Sequence, residues 1–361
     1  MSDDQQLKSI RAQIDALDEQ IQSLISQRAE AAQQVARIKL AENSQAQFYR
    51  PEREAAILKS VKARNKGPLS DEEISRLMRE VMSACLALEQ PLKIAFLGPE
   101  GTFTQAAALK HFGHSVQTES LGSISDVFRE VESGACHYGV VPVENSTEGV
   151  INHTLDMFLS SPLAICGEVT LLINHYLLGL MDGPEKVKTI YSHQQSLAQC
   201  RGWLDRNLPK AERVGVGSNA EAARLAAKEE GAAAIASEAA GEIYGLQTLA
   251  SNIEDEPGNT TRFLVVGNLR VPPTGEDKTT LLLATRNVSG GLYHLLAPMA
   301  EASVSMSRIE SRPSGRGKWD YVFFVDVEGH QQDEHVAKAL EALKKEAQMC
   351  KVLGSYPRAV L

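Results

Sequence analysis

Tyr138-Gly139-Val140-Val141-Pro142-Val143-Glu144-Asn145-Ser146-Thr147-Glu148-Gly149-Val150-Ile151-Asn152-His153 decides how the middle of this chain is read. An apolar run stops at a carboxylate and an amide, and a polar loop then feeds a helix at Thr154. In α/β folds, polar groups just past the carboxyl end of a buried strand, beside a helix N-terminus, face the ligand crevice. The same residue types also serve as plain turn and cap chemistry. Two further stretches add weight to the site reading: Gly98-Pro99-Glu100-Gly101-Thr102-Phe103 after an apolar run, and Asn259-Thr260-Thr261-Arg262-Phe263 entering another.

Around these stretches the pattern alternates strand and helix. Strands are expected at 93–97, 138–143 and 163–169, with helices from 104 and from the box Ser123-x-x-Asp126. An apolar run over 170–180 crosses to a second lobe with strands at 187–191 and 232–236. There the box Ser218-x-x-Glu221 opens an alanine-rich helix, and a further helix runs to 244. The chain returns through Glu254-Asp255-Glu256-Pro257-Gly258 to the strand 263–266. Two α/β lobes joined by crossovers look like a periplasmic-binding-protein-type architecture with the site in the cleft. The glycine loop at 98–101 has neither the dinucleotide spacing nor the P-loop lysine. Ser192 and His193 are adjacent, so on an extended chain they point to opposite faces and form no nucleophile–base pair.

Residues 1–90 read as all-α. Ile10, Ile14, Leu17, Ile21, Leu24, Ala31, Val35 and Ile38 recur at steps near four and three, which predicts one helix over 4–41 with a coiled-coil-like stripe. Arg28 falls on that stripe. Helices over 51–63 and from the box Ser70-x-x-Glu73 to 88 follow. Three helices make little independent core, and pairing with a second copy would solve that. Arg28 and Lys39 lie about 20° apart around the helix and about 16 Å apart along it, on one face. Arg11 lies about 25 Å from Arg28, too far for the two to share one small ligand.

After the linker Pro272-Pro273-Thr274-Gly275, the order is β-α-β-β-α-β, the ferredoxin-like pattern, with strands at 278–286, 303–310, 319–327 and 349–354. Gly290-Gly291-Leu292 opens its first helix, where backbone N–H groups suit an anion. Glu310-Ser311-Arg312-Pro313 leads to a glycine-containing loop with Gly315 and Gly317 that is also an ordinary hairpin signal. The chain thus divides as an all-α helical domain 1–90, a bilobed α/β domain 91–271 and an α+β ferredoxin-like domain 276–361.

Composition bounds the partners. At 361 residues, 43% hydrophobic, the chain can build two or three cores, and a net charge of −9 argues against nucleic acid or an anionic membrane. Five cysteines without a C-x-x-C and nine histidines without metal-ligand spacing suit reduced thiols in a cytoplasm. The first residues are charged, without an apolar leader core, and no run approaches membrane length. The expected localisation is cytoplasmic.

The three central stretches together resemble the prephenate dehydratase family. That resemblance implies Thr261, Asn145 and Gln199 as catalytic residues, with Glu144, Ser192, His193, Arg262 and Phe263 around the substrate; Arg262 would hold its pyruvyl carboxylate. Gln194 stands where relatives usually carry proline. The helical segment resembles the all-α chorismate mutases of the intertwined-dimer type, implying a site of Arg11, Arg28, Lys39, Arg53, Glu54, Cys85 and Glu89. Lys39 and a protonated Glu89 would face the ether oxygen. Arg50 stands where some members have an acid, Cys85 where some have serine, and Glu89 where some have glutamine. The C-terminal module resembles the amino-acid-binding ACT domain, implying that Gly290, Gly291, Leu292, Glu310, Ser311, Arg312 and Pro313 bind phenylalanine. The resemblances imply a bifunctional, feedback-regulated enzyme with chorismate and prephenate as substrates, no metal or organic cofactor, and a homodimer or higher homo-oligomer. A non-catalytic amino-acid sensor with a binding-protein-like core is the rival from another class; a sensor has no use for a donor at a leaving hydroxyl.

Overall fold

A computed structural model describes residues 3–43, 47–285, 288–313 and 321–359. Arg286, Trp319 and the expected hairpin loop with Gly315 and Gly317 lie outside the described residues. Among the described residues, no helix is long and apolar enough to cross a membrane.

Three helices open the chain: α1 (Asp3–Glu42), α2 (Pro51–Arg64, with Pro51 at the first turn) and α3 (Asp71–Glu89, capped by Ser70). The apolar stripe of α1 is not what packs on them. Leu7, Ile10, Ile14, Leu17, Ile21 and Leu24 are each at least half exposed. The side of α1 that is partly covered carries Arg28, Ala32, Ala36 and Lys39, with small alanines allowing close approach. Arg28 therefore belongs to the face turned inward in this chain, and the stripe is a separate, uncovered face.

The first lobe contains β1 (Lys93–Leu97), α4 (Phe103–Phe112), β2 (Gln117–Leu121), α5 (Ile124–Glu132), β3 (Tyr138–Asn145), β4 (Gly149–Val150), α6 (Asn152–Phe158) and β5 (Ala164–Leu172). The second contains β6 (Tyr176–Gly179), β7 (Thr189–His193), α7 (Gln194–Gln199), α8 (Arg201–Asn207), β8 (Glu212–Val216), α9 (Asn219–Ala226), β9 (Ala232–Ala236), α10 (Glu238–Tyr244) and β10 (Gln247–Ala250). The chain then returns to the first lobe as β11 (Thr260–Gly267). The sheets run β2-β1-β3-β11-β5, with β4 on β3, and β10-β6-β9-β7-β8. In the first, β1 lies parallel to β2 and β3, while the returning β11 is antiparallel to β3 and β5. The central strand β3 is buried from Tyr138 to Val143 and emerges only at Glu144 and Asn145, which is why its polar end marks the cleft.

The C-terminal module is β12 (Asp277–Ala284), α11 (Gly291–Glu301), β13 (Met306–Pro313), β14 (Tyr321–Glu328), α12 (Glu334–Glu346) and β15 (Met349–Pro357), with sheet order β13-β14-β12-β15. One sheet face packs on its two helices through Leu281, Leu283, Val325 and Val327. From the other face, Leu282, Val322, Phe324, Leu353 and Tyr356 share a core with Val141, Val143, Leu155, Phe158 and Leu264 of the first lobe. This module is therefore joined to the first lobe by a continuous apolar core.

Candidate active sites

Between the lobes lies a cleft of about 660 Å³ lined by Asn145, Glu148, His175, His193, Gln199, Thr261 and Phe263, among others. Thr261 on β11 is the cross-strand partner of Asn145 on β3. Asn145 Oδ1 accepts the backbone N–H groups of Thr147 and Glu148, both at 3.0 Å. Those donors fix which end of the amide is oxygen, so Nδ2 donates to Thr261 Oγ1 at 2.8 Å. Thr261 is thus held as an acceptor, and its own hydroxyl proton has no acceptor among the described residues. Gln199, at the end of α7, donates from Nε2 to Glu148 Oε1 at 3.0 Å, and its Oε1 lies 2.7 Å from His175 Nε2.

The described residues that line the cleft include no lysine or arginine. Positive potential comes instead from helix N-termini. Thr102 caps α4 and Ser218 caps α9, each accepting a backbone N–H with its hydroxyl, and α7 and α10 also begin at the cleft, with His193 and Ser237 as caps. Of these caps only the box Ser218-x-x-Glu221 was read from the sequence; the convergence of four helix N-termini on one cavity was not.

Alternation along the two strands corrects two expectations, and burial of a β7 residue corrects a third. Arg262 and Glu144 are themselves cross-strand partners, one step from Thr261 and Asn145, and so face the opposite side of the sheet. Arg262 binds Glu168 at 2.8 Å and Asp326 of the C-terminal module at 2.6 Å, and donates to Tyr356 Oη at 2.9 Å. It is not placed to hold a carboxylate in the cleft. Glu144 pairs with Arg308 of β13 at 3.0 Å. Ser192 is fully buried, its single hydroxyl proton shared between Asn219 Oδ1 at 2.9 Å and the Ile235 carbonyl at 3.0 Å, which removes it from the cleft wall. His193 and Phe263 do line the cleft. No Ser or Thr hydroxyl bonds a histidine there among the described residues.

In the helical segment, Glu89 on α3 feels Lys39, Arg28 and Arg53, which draws those four groups into one neighbourhood. Burial raises the Glu89 pKa above its ordinary value, against the opposing pull of these cations. Cys85 is buried beside it on α3. Glu54 pairs with Arg79 at 2.5 Å and lines a small cavity with Tyr49 and His111 at the junction with the first lobe. Burial lifts its carboxyl to about 6, while Arg79 and Arg28 oppose the rise. Arg11 lies about 25 Å from Arg28 along α1, outside this neighbourhood.

Family models for chorismate mutase type II, prephenate dehydratase and the ACT domain match residues 10–90, 94–270 and 279–345 in turn. The bifunctional chorismate mutase/prephenate dehydratase of Stutzerimonas stutzeri is 56% identical over 365 residues, covering all of both chains. The chain belongs to the bifunctional chorismate mutase/prephenate dehydratase family. Among solved structures, the prephenate dehydratase of Arthrobacter aurescens in complex with L-Phe matches with a TM-score of 0.69 and 34% identity, over 74% of this chain and 90% of that one. A protein described as a novel type of quorum-quenching acylase matches with a TM-score of 0.67 and 30% identity, over 74% of this chain and 98% of that one.

In the ACT module of this family member, Gly290, Gly291 and Leu292 line a cavity of about 260 Å³ with Thr285, Val288, Tyr293, Tyr321 and Phe323. Gly290 caps α11 in the left-handed region, φ 76°, which a side chain would strain. Glu310, Ser311, Arg312 and Pro313 lie on β13 and do not line this cavity. Arg312 instead makes a bidentate pair with Asp156 of α6, at 2.6 and 2.8 Å. Among the cleft residues that escaped the sequence reading are Glu148 and His175: the first sat in a presumed loop, the second inside an apolar run.

Proposed function

We propose that this chain rearranges chorismate to prephenate in its helical segment and converts prephenate to phenylpyruvate in the cleft, under feedback control by phenylalanine at the C-terminal module. The domain limits 1–90, 91–271 and 276–361 follow from the same reading. One observation carries the dehydratase half: Thr261 is held by Asn145 with its hydroxyl proton free to be donated.

In the dehydration, the bond between ring and carboxylate breaks and its electron pair completes the aromatic ring. The carboxylate departs as carbon dioxide, and the hydroxyl leaves from the opposite ring carbon, hydrogen-bonded to Thr261, and takes a proton from solvent to become water. Thr261 donates a hydrogen bond to that departing oxygen. The Asn145 amide supports the charge that then builds on Thr261 Oγ1, a gain realised in the transition state. Threonine is too weak an acid to lose its proton unaided, so this is strong donation. The departing carboxylate is best left without a tight cation, which would stabilise the starting state more. Neutral amides suit that need, while the helix N-termini of the cleft can take the pyruvyl carboxylate first given to Arg262. The sensor reading leaves the Thr261–Asn145 pair without a purpose. An acyl-transfer reading lacks a hydroxyl activated by histidine.

The mutase reaction needs a compact substrate and stabilised charge on the breaking ether oxygen, with no base or nucleophile. Arg28, Arg53 and Lys39 supply cations, and Glu89 supplies a hydrogen bond when protonated. We read the exposed stripe of α1 as the seam for a second copy, which brings its Arg11 to this site. Phenylalanine is placed at the Gly290–Leu292 cavity.

Glu89 gives a test specific to the mutase. Its raised pKa keeps the donor form present to higher pH than for a free glutamate, and the mutase rate should fall as pH rises through that value. Glu89→Gln donates at any pH, so its mutase rate should stay level where the wild type declines, with the dehydratase profile unchanged. Superimposable mutase profiles would take Glu89 away from the ether oxygen.

A further inference from the structure

The chain passes from the first lobe to the second in three residues, Ile173 to His175, between β5 and β6. His175 is 1% exposed and pinned on both sides of its backbone. Its N–H donates to Glu254 Oε2 at 2.9 Å, and its carbonyl accepts from Ile253 at 3.0 Å, both on the returning crossover. The ring stands edge-on to Phe103, centroids 6.0 Å apart.

The bonding pattern assigns the proton on that ring. Gln199 approaches the Glu148 carboxylate with Nε2, as only its NH2 can. Gln199 Oε1 therefore faces His175 and accepts from Nε2–H at 2.7 Å. Nδ1 is left with a lone pair, buried and without a partner among the described groups. A second proton on Nδ1 would find no acceptor, and burial accordingly lowers the pKa of this histidine, against the bond to Gln199. The imidazole is locked in one neutral tautomer. Beyond Gln199, the other oxygen of Glu148 accepts from Gln195 Nε2. One hydrogen-bonded chain thus joins the crossover (His175), the second lobe (Gln195 and Gln199) and the first lobe (Glu148).

We propose that His175 is a positioning residue of the dehydratase: from the inter-lobe crossover its Nε2–H fixes the Gln199 amide with the NH2, not the carbonyl, facing Glu148 and the cleft. The proposal rests on the reading of Gln199 as a residue that acts on prephenate. Orientation matters because the substrate is a dianion. A flipped amide would present oxygen lone pairs to it, turning an attraction into a repulsion.

The test uses the full-length protein with prephenate, and the mutase rate on chorismate as an internal control. Glutamine carries an amide out to the position of Nε2, whereas asparagine reaches only that of Nδ1. His175→Asn should lower dehydratase kcat by about a hundredfold, the scale of a misplaced catalytic group, with KM moving far less. His175→Gln should recover most of the loss, and both should keep the mutase rate. Equal turnover in both variants, whether retained or lost, overturns the proposal, because a structural role would not separate them. Gln199→Ala provides the reference. Wild-type turnover there removes the reading of Gln199 and this proposal with it. A loss in Gln199→Ala without one in His175→Asn removes this proposal alone.

Discussion

Substituting alanine for Thr261 should cut the conversion of prephenate to phenylpyruvate by about a hundredfold to a thousandfold, the usual cost of removing one donor aimed at developing charge. The side chain is 8% exposed and touches Asn145, so its loss leaves one amide N–H unpaired at the cleft wall. The fold should survive, because the change removes few atoms at the edge of the cleft and none from the first-lobe cores. The mutase groups lie in a separate helical segment, so chorismate should still disappear and prephenate should accumulate. Thr261→Ser keeps the hydroxyl and should keep more of the activity. Near-wild-type formation of phenylpyruvate by the alanine variant would remove Thr261 from the chemistry.

The second large effect concerns the helical segment. Arg11→Ala and Arg28→Ala should each lower the mutase rate on the order of a hundredfold, since each removes a cation that holds or stabilises an anionic reactant. On α1 the two positions are about 25 Å apart, and the apolar stripe between them is open. If two copies pair through that stripe, each site takes Arg28 from one chain and Arg11 from the other. After subunit exchange of the two variants, a two-fold pairing leaves one site of each mixed dimer with both arginines, so about a quarter of all sites should recover. Demonstrated exchange with no recovered activity would mean that each site is built within one chain.

Much of this was legible before the structure. The apolar run into Glu144 and Asn145, the glycine loop and the Thr-Thr-Arg-Phe entry to β11 converge on one cleft, since strand ends at a sheet's carboxyl edge lie together. What misled was treating neighbours in sequence as neighbours in space. Glu144 and Arg262 look like members of the site, yet the two-residue period of a strand turns them toward Arg308 and Asp326. That period was available from the sequence; the partner on the far face was not. Arg312 follows the same rule on β13, where it meets Asp156. The edge strands β2 and β8, Gln-Thr-Glu-Ser-Leu and Glu-Arg-Val-Gly-Val, were missed because a strand at a sheet's edge need not be apolar. The stripe on α1 was correctly periodic, but periodicity says only that a face is apolar. From Leu7 to Leu24, and again at Val35 and Ile38, α1 leaves that face open, while Arg28, Ala32, Ala36 and Lys39 mark the partly covered side.

The alternation also suggests how the C-terminal module reaches the chemistry. Thr261 and Asn145 line the cleft, and their immediate neighbours Arg262 and Glu144 are ion-paired to β14 and β13. Under the proposed function, a ligand that shifts those strands would change the footing of Thr261 and Asn145 without entering the cleft. Binding alters turnover only to the extent that it favours one arrangement of the module over another.

The most direct measurement is to incubate the full-length protein with chorismate and follow all three compounds, with and without phenylalanine. The account predicts loss of chorismate, transient prephenate and a rise of phenylpyruvate, with phenylalanine slowing the last step and not the first. Unchanged chorismate, or prephenate that forms and is never consumed, would contradict it.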